Sequence, residues 1–200
     1  MALLAVAAMP GLFRVPARAA QVLGVRVTRE QARFLIGMRI VFDAAPARVF
    51  AALRDYPAMV RYNPDLRAVR VETTSEPDRV RLFTTVHTCV LLFCKTVRQQ
   101  QLMTASASAD GGGGILQAQL IPQRGAFEGH ARWTVEPCRA NRSPTCMDVR
   151  IVLVPLFWMP PVLGPWLIRR KMQQEAQLTS RGLERIAHGA AALGAAHPGG

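Results

Sequence analysis

Lysine is nearly missing from this chain. Two of its 25 basic residues are lysine, Lys95 and Lys171, and the rest are arginine. Acidic residues number only 13, so the formal net charge is +12. That excess invites a nucleic-acid reading, but the arginines are scattered and the longest basic run is Arg169-Arg170-Lys171. Aromatic residues, at 6%, are too few to interleave with the arginines as a base-stacking platform. There is no zinc-finger spacing, no basic region leading into heptads and no RNA-recognition octamer, so nucleic acid is not an expected partner. No apolar stretch reaches the roughly 18 to 20 residues of a membrane-spanning helix. Catalytic signatures are missing too: H-E-x-x-H, G-x-S-x-G and the P-loop are not found. Asp110 is followed by four glycines but lacks the Lys-Ser/Thr of a phosphate cradle, so it reads as a turn. His87, His130, His188 and His197 have no serine, cysteine or carboxylate at a catalytic spacing. The sequence therefore assigns no catalytic residue, no metal ligand and no cofactor.

Half of the 200 residues are apolar and 19% are charged, which fits one folded domain rather than a disordered chain. Residues 2–13, ALLAVAAMPGLF, have the length of a signal-peptide core, and Ala17-Arg18-Ala19 fits the small-x-small cleavage rule. Residues 1–19 are thus expected to be a signal peptide, although nothing basic precedes Arg14; the alternative is an ordinary frayed end. Residues 188–200, rich in Ala and Gly, read as a flexible tail. The four cysteines fall into two local pairs. Cys89 and Cys94 flank Val-Leu-Leu-Phe, and Cys138 and Cys146 flank a turn-rich loop. Each pair can close a hairpin as a cross-strand disulfide, which fits a periplasmic or secreted location. Zinc ligation and reduced cytoplasmic thiols are the alternatives, the former with poor ligand spacing.

Along the chain, Phe34 to Phe42 reads as a strand. Ala45-Pro46 then opens a helix with Val49, Phe50 and Leu53 as its apolar stripe, and a second short helix runs from Asp55-Tyr56-Pro57 to Asn63-Pro64. Strands follow over 66–72, 79–88, 95–104, 115–121, 127–135 and 146–154. The segment from Phe127 to Val135 alternates most cleanly, with Phe127, Gly129, Ala131 and Trp133 on a dry face. Two small residues between two large ones imply either a cavity wall or a closely packed helix. A long helix from Trp166 to about Ala187 carries Ile168, Met172, Ala176, Thr179, Leu183 and Ile186 on one face.

This element order, together with the passage from Ala45-Pro46 through Val49-Phe50 and Leu53 to Asp55-Tyr56-Pro57, resembles the START-like helix-grip superfamily (SRPBCC). That superfamily includes polyketide cyclases and dehydrases, coenzyme Q-binding proteins and birch-pollen-allergen-like proteins. The resemblance covers residues 34–187. It implies an α+β helix-grip fold: a curved antiparallel sheet of about seven strands, two short helices after the first strand, and a long C-terminal helix packed on the sheet. It further implies an apolar cavity for a hydrophobic ligand such as a lipid, sterol, quinone or polyketide-like molecule. The leading expectation is binding or transport of such a ligand without catalysis. A polyketide cyclase/dehydrase-type enzyme and a quinone-binding accessory factor are the alternatives.

If Cys89 pairs with Cys94, strand register sets Thr84, Val86, Val97, Gln99 and Gln101 on one face, the expected cavity side. Phe127, Gly129, Ala131 and Trp133 join it, with Val149 and Ile151 from the last strand. Met172 and Glu175 approach from the helix. In a meander alternate loops share an end, so Val90, Leu91, Leu92 and Phe93 lie beside Leu156, Phe157, Trp158 and Met159. These greasy tips, with Arg169, Arg170 and Lys171 nearby, are expected to form a cavity mouth that meets a membrane or a lipid-transfer partner.

Overall fold

The structure, a computed structural model, describes residues 19–90, 93–139, 143–157 and 164–195. The proposed signal sequence, apart from Ala19, lies outside these residues, as do Leu91, Leu92, Trp158 and Met159.

Eight strands form one antiparallel sheet: β1 (Gln21–Glu30), β2 (Arg33–Phe42), β3 (Leu66–Thr73), β4 (Arg79–Val90), β5 (Phe93–Ala107), β6 (Gly114–Ile121), β7 (Phe127–Pro137) and β8 (Thr145–Pro155). Their order across the sheet is β1-β2-β8-β7-β6-β5-β4-β3. Hence β3 to β8 run as a meander, and β2 closes onto β8. Between β2 and β3 lie α1 (Pro46–Arg54), a 3-10 turn (Tyr56–Ala58) and α2 (Met59–Tyr62). The long α3 (Gly164–Ala195) ends the described chain.

One strand goes beyond the sequence reading. β1 pairs with β2 ahead of residue 34, where the domain was expected to begin. Its alternation is broken by a bulge between Val22 and Gly24, and as an edge strand it buries little. The sheet thus has eight strands rather than about seven, and the short helices follow the second strand. Helix α3 also continues past Ala187 into the segment read as a tail.

The sheet has two distinct faces. The inner face carries Phe42, Leu82, Met103, Leu116, Val135, Met147 and Val149, all buried in one core with Val49, Phe50 and Leu53 of α1 and Leu183 and Ala187 of α3. Burying each large side chain of this kind contributes about 1.5 to 3 kcal/mol. Helix α3 packs on β1, α1 and α2. Gly182 permits this approach: a Cβ there would lie 2.5 Å from the Cβ of Tyr62. Burial in this contact raises the phenol pKa of Tyr62, which keeps it neutral.

A single carboxylate fastens α3 to the start of α1. Helix α1 has no side-chain cap of its own at Ala45. Glu184, only 4% exposed, instead accepts hydrogen bonds from the Asp43 N–H at 3.1 Å and the Ala44 N–H at 2.8 Å. His188 Nε2 lies 2.7 Å from the same carboxylate. The Thr145 hydroxyl donates to the Ala44 carbonyl, which fixes the same loop to β8.

Candidate ligand site

Along β8 and α3, burial on the inner face falls off in one direction, while Phe34, Ile36, Val97, Gln99 and Leu120 on the neighbouring strands stay buried at that same end. Along β8, Thr145, Met147 and Val149 are buried, whereas Ile151 and Leu153 are half-buried. Along β7, Val135 and Ala131 are buried, and Trp133, Gly129 and Phe127 are half-buried. Helix α3 follows the same gradient: Ala187, Leu183 and Ala176 are buried, while Met172 and Ile168 are only partly covered. The register of β7 and β8 aligns Ala131 with Ile151 and Gly129 with Leu153. Helix α3 and β8 are therefore tightly packed beside α1 and looser toward Met172 and Leu153.

Three chain tips converge at that looser end. The Leu156 N–H donates to the Ala126 carbonyl at 3.0 Å, and the Gly125 N–H donates to the Leu156 carbonyl at 3.2 Å, which docks the end of β8 onto the β6–β7 turn. Phe157 then meets Phe127 edge-on, with ring centroids 5.3 Å apart. Lys95 extends its ammonium over the Phe157 ring, 3.4 Å from the centroid, which brings in the β4–β5 hairpin. Lys95 was not anticipated. Its register opposite Thr88 puts it on the inner face, but its partner comes from a distant loop.

Thr84, Val86, Val97, Gln99 and Gln101 share one face, as cross-strand pairs Thr84 with Gln99 and Val86 with Val97 establish. Thr84 and Gln99 are both buried and both engaged with backbone. The Thr84 hydroxyl donates to the Gln99 carbonyl at 3.3 Å. The Gln99 amide donates to the Ile121 carbonyl at 3.0 Å, and its oxygen accepts the Phe127 N–H at 3.0 Å. Gln99 thus stitches β5 to the β6–β7 turn. Gly129 has a third explanation beyond cavity wall and close helix. Its φ is 139°, and a Cβ would sit 1.9 Å from the Val152 carbonyl oxygen, so the β7–β8 pairing itself demands glycine.

At the start of α3 the basic run divides. Arg169 and Arg170 are exposed, and the Arg170 guanidinium stacks on Trp166, which is 49% exposed. Lys171 instead turns inward. Its ammonium lies 2.6 Å from Asp65 and 2.9 Å from Glu175, all three side chains being largely covered. It is therefore occupied, and is not a free cation at the surface. Burial lowers the Lys171 pKa, but the bonds to the two carboxylates outweigh it and the net shift is upward. Burial raises that of Glu175, against the pull of Lys171.

Both local disulfides are formed, Cys89–Cys94 and Cys138–Cys146. His87 gathers near the first, with Nδ1 2.9 Å from the Thr96 hydroxyl and Nε2 3.7 Å from Cys89 Sγ. Ligand-type atoms of His87, Cys89 and Cys94 lie within 4.8 Å of one another, but both sulfurs are committed to the bridge. Among the described residues no helix is long and apolar enough to cross a membrane.

Comparison with solved structures decides the fold. Human STARD10 superposes with a TM-score of 0.62 over 88% of this chain and 77% of its own, at 10% identity. The chain has the START-like helix-grip fold. A STAR-related lipid transfer protein from Xanthomonas axonopodis matches at TM-score 0.57 and 14% identity, covering 80% of this chain and 98% of that one. The Zhui aromatase/cyclase from Streptomyces sp. R1128 matches at TM-score 0.57 and 8% identity, covering 78% and 94%. No protein-family model matches the sequence. No curated protein matches it either.

Proposed function

We propose that this protein binds and carries a hydrophobic small molecule between the inner face of its sheet and α3. The observation that carries this reading is the gradient along β8 and α3, from packed core beside α1 to half-buried Ile151, Leu153 and Met172 toward the end where Phe157 and Lys95 meet. Apolar surface that stays partly open beneath a helix fits an apolar ligand. Likeness to a STAR-related lipid transfer protein supports the same reading. Carriage is favoured over catalysis because Thr84 and Gln99, buried on this face, spend their hydrogen bonds on backbone. The ligand enters at the looser end, with exposed Trp166, Arg169 and Arg170 meeting an anionic lipid surface. Two disulfides support an exported protein working in the periplasm or outside the cell.

Mass spectrometry of material extracted from protein purified from its native host tests the assignment. A lipid or sterol in stoichiometric amount is the expected result. Co-purifying quinone would favour an accessory factor of quinone chemistry, and turnover of an aromatic polyketide would favour a cyclase. Protein that carries no hydrophobic molecule and binds none would overturn the reading.

A further inference from the structure

The outer face of the sheet carries a feature unrelated to the ligand site. One cross-strand row there reads Arg26, Gly37, Arg150, Arg132, Gln117 and Thr104, fixed by the registers of β1 to β2, β2 to β8, β8 to β7, β7 to β6 and β6 to β5. Alternation turns these side chains away from the core, since their neighbours Ile36, Val149 and Ala131 are buried inside. Arg132 and Arg150 stand directly opposite each other, and like charges so placed in a sheet repel. The chain compensates such charge elsewhere on this face: Arg39 is held by Asp148 at 2.8 Å. Among the described residues, Arg26, Arg132 and Arg150 have no ion pair.

Gly37 sits between Arg26 and Arg150 in this row, and nothing lies within 4 Å of where its Cβ would be. Packing therefore does not require glycine there; its effect is a bare floor between two guanidinium groups. A groove of about 1010 Å³ runs over this floor, walled in the adjacent row by half-buried Leu35 and Val152. Adjacent strands lie about 4.8 Å apart, so Arg26 and Arg150 flank the floor across roughly 10 Å. Flexible guanidinium groups can close on an anion within that span. Their planar forks match phosphate oxygens two at a time, and three of them exceed what one carboxylate can accept.

We propose that the outer face holds a second binding site, for a multiply charged phosphate-bearing anion seated over Gly37 and gripped by Arg26, Arg150 and Arg132. The bound anion relieves the repulsion between Arg132 and Arg150, which the free protein tolerates.

Calorimetry and thermal unfolding of the full chain with inorganic pyrophosphate test this, with sodium chloride at matched ionic strength as control. Pyrophosphate is expected to bind the wild type and to raise its Tm, whereas chloride does not. Arg132→Gln and Arg150→Gln should each weaken binding about tenfold and should raise the Tm of the anion-free protein. Gly37→Leu should fold and lose binding, and Arg39→Gln should keep it. Vesicles of phosphatidic acid in phosphatidylcholine separate the sources of phosphate. Sedimentation lost in the Arg132→Gln/Arg150→Gln double variant assigns the anion to a lipid headgroup; equal sedimentation of variant and wild type, with pyrophosphate binding lost only in the variant, assigns it to a soluble phosphate ester. The proposal fails if the wild type does not bind pyrophosphate, or if the double variant binds it equally well.

Discussion

Glu184 does at one position what a capping residue would do locally: it satisfies two N–H groups ahead of α1 from a helix 140 residues away in sequence. Replacing it with alanine leaves both donors in a covered site, and the expected loss is about 3 kcal/mol of unfolding free energy, measured by urea titration. Gly129→Ala should cost about 2 to 3 kcal/mol in the same assay, because the new methyl meets the Val152 carbonyl and φ is held at 139°. Lys171 lends itself to a pH test. It neutralises Asp65 and Glu175, so Lys171→Met leaves two carboxylates facing each other. Burial already raises the Glu175 pKa, and a raised carboxylate stabilises the folded state only while protonated. The stability deficit of Lys171→Met relative to wild type should therefore be largest at pH 7 and shrink as pH falls toward 5, as read from Tm across that range. Raised itself, Lys171 contributes stability below its unfolded pKa of about 10.5, which is lost as pH climbs through its folded value.

At the scale of elements, the meander was plain in the sequence because its strands, apart from the bulged and largely exposed β3, bury one side of a period-two pattern. The two disulfides were legible for a related reason: short loops bring directly paired residues together, as Cys89 with Cys94 in the β4–β5 register. β1 was not legible, since its alternation is interrupted at the bulge and its outer neighbours are mostly exposed. The links that define the candidate site were hidden for a different reason. Lys95 over Phe157, Lys171 on Asp65 and Glu184 on the β2–α1 loop join elements far apart in sequence, and no local pattern encodes them. The disulfides close loops with separations of 5 and 8 residues, so each constrains the unfolded chain by about 2 to 2.5 kcal/mol. Dithiothreitol should accordingly lower Tm without altering the far-ultraviolet circular dichroism of the folded state at 25 °C.

At the scale of the whole molecule, β8 and α3 are asymmetric along their length, close-packed by α1 and looser toward Phe157. If the looser end meets lipid, exposed Trp166 with its stacked Arg170 should contribute to the encounter. Trp166→Ser combined with Arg170→Gln should weaken partitioning onto phosphatidylglycerol-containing vesicles about tenfold, as measured by co-sedimentation. Tm should stay near that of wild type, because both side chains are exposed.

The anchoring of α3 has a mechanical corollary. Glu184, Leu183 and Ala187 clamp one portion of the helix; beyond Ala176 toward Trp166 its side chains are only partly covered, with the ion pair of Lys171 and Asp65 as a prop. A beam held in this way is a cantilever: its free arm deflects while its root stays still. Removing the prop lengthens that arm, so the same Lys171→Met change should speed amide hydrogen exchange over residues 166–175 and leave residues 180–187 protected.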